Sequence, residues 1–372
     1  MTLKEDALNI GLIGPLPPPF GGMANQTKQL YKLLQGEGIQ VTLVQTNAPY
    51  RYKIIEKIRG LRALFRIVPY LNNLWRVTAK VDILHVLANS GWSWQLFAVP
   101  VIWIGWIKKK PVIINYRGGE ARNYFEKSIQ WIRPSMNKAS IIIVPSGYLK
   151  HVFADFGFKS EVIPNIINLE RFSPRDKGGK RKETPHLIVT RNLEAIYGIK
   201  TAIEAVAILK QSHPRIKLSI AGSGPQKEEL HQLILKLGLE DNVVFTGKLT
   251  PIEIAELYQS ADIMLNPTTV DNMPNSVLEA MASGVPIVTT DVGGIPYIVK
   301  DGETALMAKV NEAESMANQI KRLLNDPLLC ETLITNGLQQ VQQYTWSKVK
   351  CQWLALYHSF VNHPGEIALR DE

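Results

Sequence analysis

The chain alternates short apolar runs with longer stretches in which apolar residues recur every three or four positions. In the first half, runs at 9–13, 40–45, 82–86, 111–116 and 140–144 read as strands, and 25–36 carries helical spacing. At 173–186 the pattern stops: the stretch is rich in Lys, Arg, Gly and Pro, has no apolar period, and predicts a linker. Alternation then resumes, with strands at 186–190, 216–221, 243–246, 262–265 and 285–289 and helices at 199–212, 225–237, 251–259 and 276–283. Apolar runs alternating with helices predict parallel strands covered on both faces, so the fold class is α/β with two doubly wound halves. A length of 372 residues exceeds what one core usually organises. The expected layout is a first domain at 1–172, the linker at 173–186, a second domain at 187–345 and a C-terminal segment at 346–372. Open sheets of this kind bind ligands beyond the C-terminal ends of their strands, which makes a cleft between the halves the expected site.

Composition adds charge to this picture. The net charge is +9, which favours polyanionic partners such as nucleotide diphosphates, anionic lipid or nucleic acid. Between 51 and 80 there are eight basic residues and one acid, Glu56, interleaved with apolar residues at helical spacing. An amphipathic helix on an anionic membrane surface and a solvated helix of the first domain both fit that pattern. The segment 91–107 is apolar, rich in Trp and followed by Lys108, Lys109 and Lys110. At about 17 residues it is shorter than the roughly 20 a spanning helix needs, leaving a buried helix or a membrane-dipping surface. Cys330 and Cys351 have no metal-type spacing, and the start of the chain lacks a basic segment followed by an apolar run. Neither a structural metal nor a secretory leader is expected, and the predicted location is the cytoplasm, at or near the inner membrane face. No zinc, RNP-type or helix-turn-helix pattern supports nucleic-acid binding.

Three loops carry candidate chemistry. After the first strand, Pro17, Pro18 and Pro19 stiffen a loop ending in Gly21 and Gly22, where backbone approaches a ligand closely at a helix N-terminus suited to a diphosphate. The spacing is not the dinucleotide G-x-G-x-x-G. Gly222, Ser223 and Gly224 form a similar small-residue turn after a strand, a weak signal alone. The longest feature is the polar loop with Asp271, the helix start at Asn275, Ser276 and Val277, then Glu279, and finally Gly293 and Gly294. Its helix start suits a phosphate, and the Glu279 carboxylate suits a ribose diol. A capping box, in which Glu279 reaches back to Ser276, is the competing reading.

The segment 274–296 resembles the donor-binding signature of the retaining family 4 glycosyltransferases of the GT-B fold. Gly21, the Arg191 region and the Trp346 region fall in the order of that family, so the likeness spans nearly the whole chain. It implies two Rossmann-like domains, a nucleotide-sugar donor bound mainly by the second, no metal or other cofactor, and a C-terminal helix returning to the first domain; the basic first half suggests a glycan or lipid-linked acceptor. Residue by residue, it implies Glu279 on the ribose and Asp271 on hydroxyls of the transferred sugar, with Asp where Glu is usual. Gly22 and Arg191 then meet the diphosphate, and Gly247 and Lys248 the nucleobase. Tyr197 stands where the family carries Lys, with Lys200 as a candidate replacement, and Arg117 stands where it carries His. Tyr297 replaces the acid usual after Gly-Gly-x-Pro. These departures keep open an inactive binding or scaffold protein, and the architecture keeps open a nucleotide-sugar epimerase; glycoside hydrolysis by the two acids is the weakest reading.

Overall fold

The computed structural model describes residues 8–18, 21–49, 61–174 and 184–362, with the side chains of 61–64 and 361–362 excepted. The described chain divides into two compact units, one ending at Ile166 and including the residues from Val349 onward, the other running from Ile167 to Lys348. Residues 167–172, which composition groups with the first half, pack in the second unit: Ile167 N–H donates to the Tyr344 carbonyl, and Phe172 meets Tyr258 edge-on. Most of the expected linker, 175–183, lies outside the described residues.

The first unit contains strands β1 (Asn9–Gly14), β2 (Gln40–Gln45), β3 (Ile83–Ala88), β4 (Val112–Tyr116), β5 (Ile141–Val144) and the two-residue β6 (Glu161–Val162). All pairings are parallel, in the order β2-β1-β3-β4-β5-β6. Every residue of β3 and β4 is buried, because helices cover both faces of a parallel sheet. Those helices are α1 (Gly22–Gly36), α2 (Leu61–Thr78), α3 (Val99–Ile107), α4 (Ala121–Met136) and α5 (Gly147–Asp155). The segment 91–107 enters a π turn at Trp94–Ala98 and then α3. The buried-helix reading holds for Trp94, Ala98, Val101, Ile102 and Gly105, while Trp106 and Ile107 face solvent. Of the basic stretch at 51–80, the first ten residues lie outside the described chain and the rest forms α2.

The second unit is built the same way, from β7 (His186–Val189), β8 (Lys217–Ala221), β9 (Val243–Gly247), β10 (Ile263–Asn266), β11 (Ile287–Thr290) and β12 (Leu306–Ala308). The order is β12-β11-β10-β7-β8-β9, again parallel throughout. Its helices are α6 (Ile199–Lys210), α7 (Lys227–Lys236), α8 (Pro251–Ser260), α9 (Asn275–Ala282), α10 (Ala313–Asn325) and α11 (Pro327–Val341). The sequence reading stops before α10 and α11, although α11 opens on a clear start signal. Pro327 occupies its first turn, and the Asp326 side chain accepts from Leu329 N–H at 2.9 Å. The last helix, α12 (Trp346–Asn362), begins in the second unit and continues in the first. In the first unit its Trp353 stacks on the His85 ring and its Tyr357 hydroxyl lies 2.7 Å from His85 Nδ1.

Candidate functional site

In the second sheet the chain starts in the middle, at β7, builds outward through β8 and β9, and then restarts on the other side with β10. Loops leaving β7 and β10 at their C-terminal ends therefore diverge, and the crevice between such loops is where open α/β sheets hold ligands. Arg191 follows β7 and Asp271 follows β10. The Arg191 Nη2 donates to Asp271 Oδ2, its Nη1 reaches the Ser276 Oγ at 3.5 Å, and its guanidinium lies 4.1 Å over the Tyr197 ring. Both members of the ion pair are about nine-tenths covered, at 12% and 10% side-chain exposure. Asp271 Oδ1 also accepts from Asn272 N–H at 3.0 Å. Burial pushes the Asp271 carboxyl above its ordinary range while Arg191 pulls it back. The Arg191 Nε is buried without a hydrogen-bond partner. A desolvated guanidinium with one orphaned donor is a site prepared for an additional anionic oxygen.

Helix α9 faces this pair. Its N-cap is Pro274, in extended conformation, so Asn275, Ser276 and Val277 are already helical and Ser276 is not a cap. The capping-box reading of Glu279 is thereby corrected. Pro274 holds a fixed φ and has no N–H to offer, so the helix starts before Ser276 and places Glu279 a full turn inside it. The Val277 N–H bonds the Pro274 carbonyl at 3.2 Å and is thus engaged within the first turn of the helix. Glu279 packs beside Tyr258, whose hydroxyl is 2.6 Å from Thr190 Oγ1 and donates to the Ser276 carbonyl at 3.0 Å. Burial raises the Glu279 carboxyl to about 7, opposed by Tyr258, Arg171 and Arg191.

That shift fixes two signs. A raised carboxyl binds its proton more tightly in the folded chain than in the unfolded one. Its contribution to stability is complete below the unfolded value of 4.5 and is lost as pH rises through about 7. The ligand-free protein is expected to melt at a lower temperature at pH 8 than at pH 5.5, with a slope that Glu279→Gln flattens. A ligand hydroxyl pair that donates to the carboxylate has the opposite dependence, binding more tightly as pH rises through about 7. Melting curves across that range, with and without ligand, check both signs.

The glycine turns are explained first by backbone packing. A Cβ on Gly222 would stand 2.0 Å from the Arg191 carbonyl oxygen, and one on Gly224 would stand 2.3 Å from that of Leu193. The turn after β8 thus presses directly on the Arg191 loop, and Leu193 N–H donates to the Ser223 carbonyl. Gly222 N–H donates in turn to the Gly247 carbonyl at 2.9 Å, joining the ends of β8 and β9. Gly247 has φ +75 with open space where a side chain would lie, and Lys248 beside it is exposed. Lys200 is not brought to Arg191. It lies in the first turn of α6, pairs with Glu204 at 3.8 Å, and lines a surface groove with Glu229, Gln232 and Lys236 of α7. Tyr197 meets the site as a platform under Arg191. Tyr297 sits in a short turn after Gly293 and Gly294 and is half exposed.

The first unit repeats the topology, with its order reversing between β1 and β3. Gly21 and Gly22 lie after β1, at the start of α1, and a Cβ on Gly21 would meet nothing within 4 Å. The loop ahead of them is fastened by Asn47, whose side chain accepts from Leu16 N–H and donates to the Leu16 carbonyl, both at 2.8 Å. Arg117 follows β4, and its partners carry no charge: Nε donates to Asn115 Oδ1 at 2.9 Å and Nη1 to Asn165 Oδ1. Because Asn115 Oδ1 accepts from Arg117, its amide nitrogen faces His85 Nε2 at 2.9 Å as the donor. His85 then carries its proton on Nδ1, toward Tyr357. Burial, reinforced by the Arg117 charge, pushes His85 down to about 3 and keeps it neutral.

Sequence motifs did not single out Tyr258, Thr190, Asn47, His85, Asn115 or Asn165. Each has a partner 30 or more positions away, which no local spacing encodes. Tyr258 alone left a signal, an aromatic residue on the otherwise ordinary buried face of α8.

Residues 170–340 match the family model described as glycosyl transferases group 1, and residues 20–171 match the one described as glycosyltransferase family 4. The N-acetyl-alpha-D-glucosaminyl L-malate synthase of Bacillus anthracis is 29% identical over 92% of this chain and 94% of that one. The chain spans about half the length of the first curated relatives it matches. One is the D-inositol 3-phosphate glycosyltransferase of Streptomyces bingchenggensis (strain BCW-1), 28% identical over 56% of this chain and 49% of that one. Among solved structures, HepE from Anabaena in complex with UDP and glucose superposes with a TM-score of 0.74 at 18% identity. That match covers 95% of this chain and all of that one, and it shows a shared fold.

Proposed function

We propose, from the premise that this chain belongs to the family 4 glycosyltransferases of the GT-B fold, that it moves a sugar from a nucleotide-sugar donor to an acceptor hydroxyl with retention of anomeric configuration. The observation that carries this reading is the buried Arg191–Asp271 pair at the switch point of the second sheet, with Ser276 and Glu279 on the facing helix. Each group has a place in the donor. Glu279 accepts from the ribose diol, the α9 start and Arg191 hold the diphosphate, and Asp271 accepts from hydroxyls of the transferred sugar. Gly247 and Lys248, at the end of β9, lie along the nucleobase. The UDP bound by HepE is in keeping with a nucleoside diphosphate as the leaving group.

In the reaction the acceptor oxygen bonds to the anomeric carbon as the bond from that carbon to the β-phosphate oxygen breaks. The bonding pair goes to the phosphate, and the acceptor proton follows it on the same face. Negative charge therefore grows on the diphosphate, where the Arg191 donors and the helix dipole are already oriented and desolvated. The guanidinium supplies this stabilisation, so the proposed chemistry requires no resident metal. Within the first unit we assign Arg117 and the start of α1 an anion-binding role of their own, and the acceptor is a glycan or a lipid-linked sugar. A thermal-shift screen of UDP-, GDP- and ADP-sugars tests the reading. One class raises the melting temperature and supports turnover to the free nucleoside diphosphate; no response to any class sinks it.

A further inference from the structure

The first unit displays a set of large apolar side chains that its core does not use. Trp75 of α2, Trp106 and Ile107 of α3 and Trp131 of α4 are between 49% and 79% exposed. Phe65 and Val68, also exposed, share the Trp75 face of α2 by helical spacing. These residues form one surface. Lys108, at the end of α3, donates from Nζ to the Trp75 carbonyl at 2.6 Å and lies 4.0 Å over the Trp75 ring. Trp103 meets Trp106 edge-on, with centroids 5.6 Å apart, and donates from Nε1 to Ser135 Oγ, one turn along α4 from Trp131. Lys138, just past α4, places its ammonium 4.5 Å over the Trp106 ring.

The charge on the α2 and α3 part of this surface is almost all of one sign. Between Lys57 and Gly119 the single acid is Asp82, and its carboxylate accepts from Asn9 N–H at 2.9 Å. Arg76 lies on α2, and Lys108, Lys109 and Lys110 directly follow α3. No helix among the described residues is long and apolar enough to cross a membrane. Indole rings with ammonium groups stacked on them, on three neighbouring helix ends, match the headgroup level of a bilayer: rings at the acyl boundary, cations at the phosphates.

We propose that the surface formed by Trp75, Trp106, Ile107 and Trp131, with Lys108 and Lys138, docks this protein on an anionic lipid bilayer. The docking gives a soluble donor and a lipid-linked acceptor a common place of work. It rests on the transferase reading for that purpose alone, because binding to lipid is measured with no sugar nucleotide present. The failure of either claim leaves the other standing.

The test is flotation of the full chain with vesicles of phosphatidylcholine alone or of phosphatidylcholine mixed with phosphatidylglycerol. The protein is expected to float with the mixed vesicles and to leave them at high salt. Trp106→Ser with Trp131→Ser lowers partitioning by at least about tenfold, and Lys108→Gln with Lys138→Gln lowers it about fivefold for each charge removed. Both variants keep the wild-type melting temperature, which separates lost docking from lost folding. Equal flotation of wild type and the double Trp variant overturns the proposal. So does a wild-type dimer in sedimentation that the Trp changes dissociate without any vesicle binding, because the surface is then a self-association face.

Discussion

Arg191→Ala is expected to lower kcat/KM for sugar transfer by about a thousandfold, the loss seen when a preorganised donor to a developing oxyanion is removed. The side chain supplies two things at once. Its Nη2 neutralises Asp271, and its buried Nε has no partner in the ligand-free chain. Truncation removes the charge facing the leaving diphosphate and leaves a covered carboxylate alone. Such a break in a buried pair usually costs about 3–5 kcal/mol. Asp271 softens the cost because burial already raises its pKa, so the lone carboxyl can take up a proton. Arg191→Lys restores charge without the planar fork and is expected to recover part of the rate. Steady-state kinetics on all three forms, with melting curves alongside, separate the catalytic loss from any loss of fold.

Asp271→Asn is expected to give a different signature: kcat falls by about a hundredfold while donor affinity holds or increases. The amide keeps the size of the carboxylate and can still accept from the transferred sugar, but with less strength in a desolvated site. It also releases Arg191 from its ion pair, and the guanidinium is then wholly available to the diphosphate. The two substitutions thus split the ligand-free pair in opposite ways. One removes the cation to which we assign the donor diphosphate, and the other removes the anion that competes for it. A parallel fall of kcat and affinity in both variants would show that the pair acts only as a structural brace.

The legible part of this molecule was the part encoded locally. Strands such as β1 and β4 announce themselves as apolar runs within a residue of their observed limits, since both faces of a parallel sheet are buried there. Short edge strands such as β6 and β12 do not, because two or three residues carry no period. Glu279, Asp271 and Arg191 could be picked out from one long segment and one short one. Their electrostatics could not. The sequence places Arg191 and Asp271 eighty positions apart and assigns them separate duties, whereas folding of the β7 and β10 loops around one switch point makes them a pair. Tyr197 follows the same logic. Read locally it is a missing cation, and in the fold its ring is the surface on which Arg191 lies. Gly222 looked like a ligand-facing glycine, yet the space a side chain would fill belongs to the Arg191 carbonyl. Loop-on-loop packing of that kind has no signature in spacing.

The most direct test of the account is calorimetric titration of the sugar nucleotide chosen by the screen into the wild-type chain, Arg191→Ala and Asp271→Asn at one pH above 7. The account predicts a single site in the wild type, binding at least about tenfold weaker in Arg191→Ala, as loss of a charge-assisted contact requires, and undiminished binding in Asp271→Asn. Equal affinity in wild type and Arg191→Ala, or no binding of any sugar nucleotide to the wild type, would contradict it.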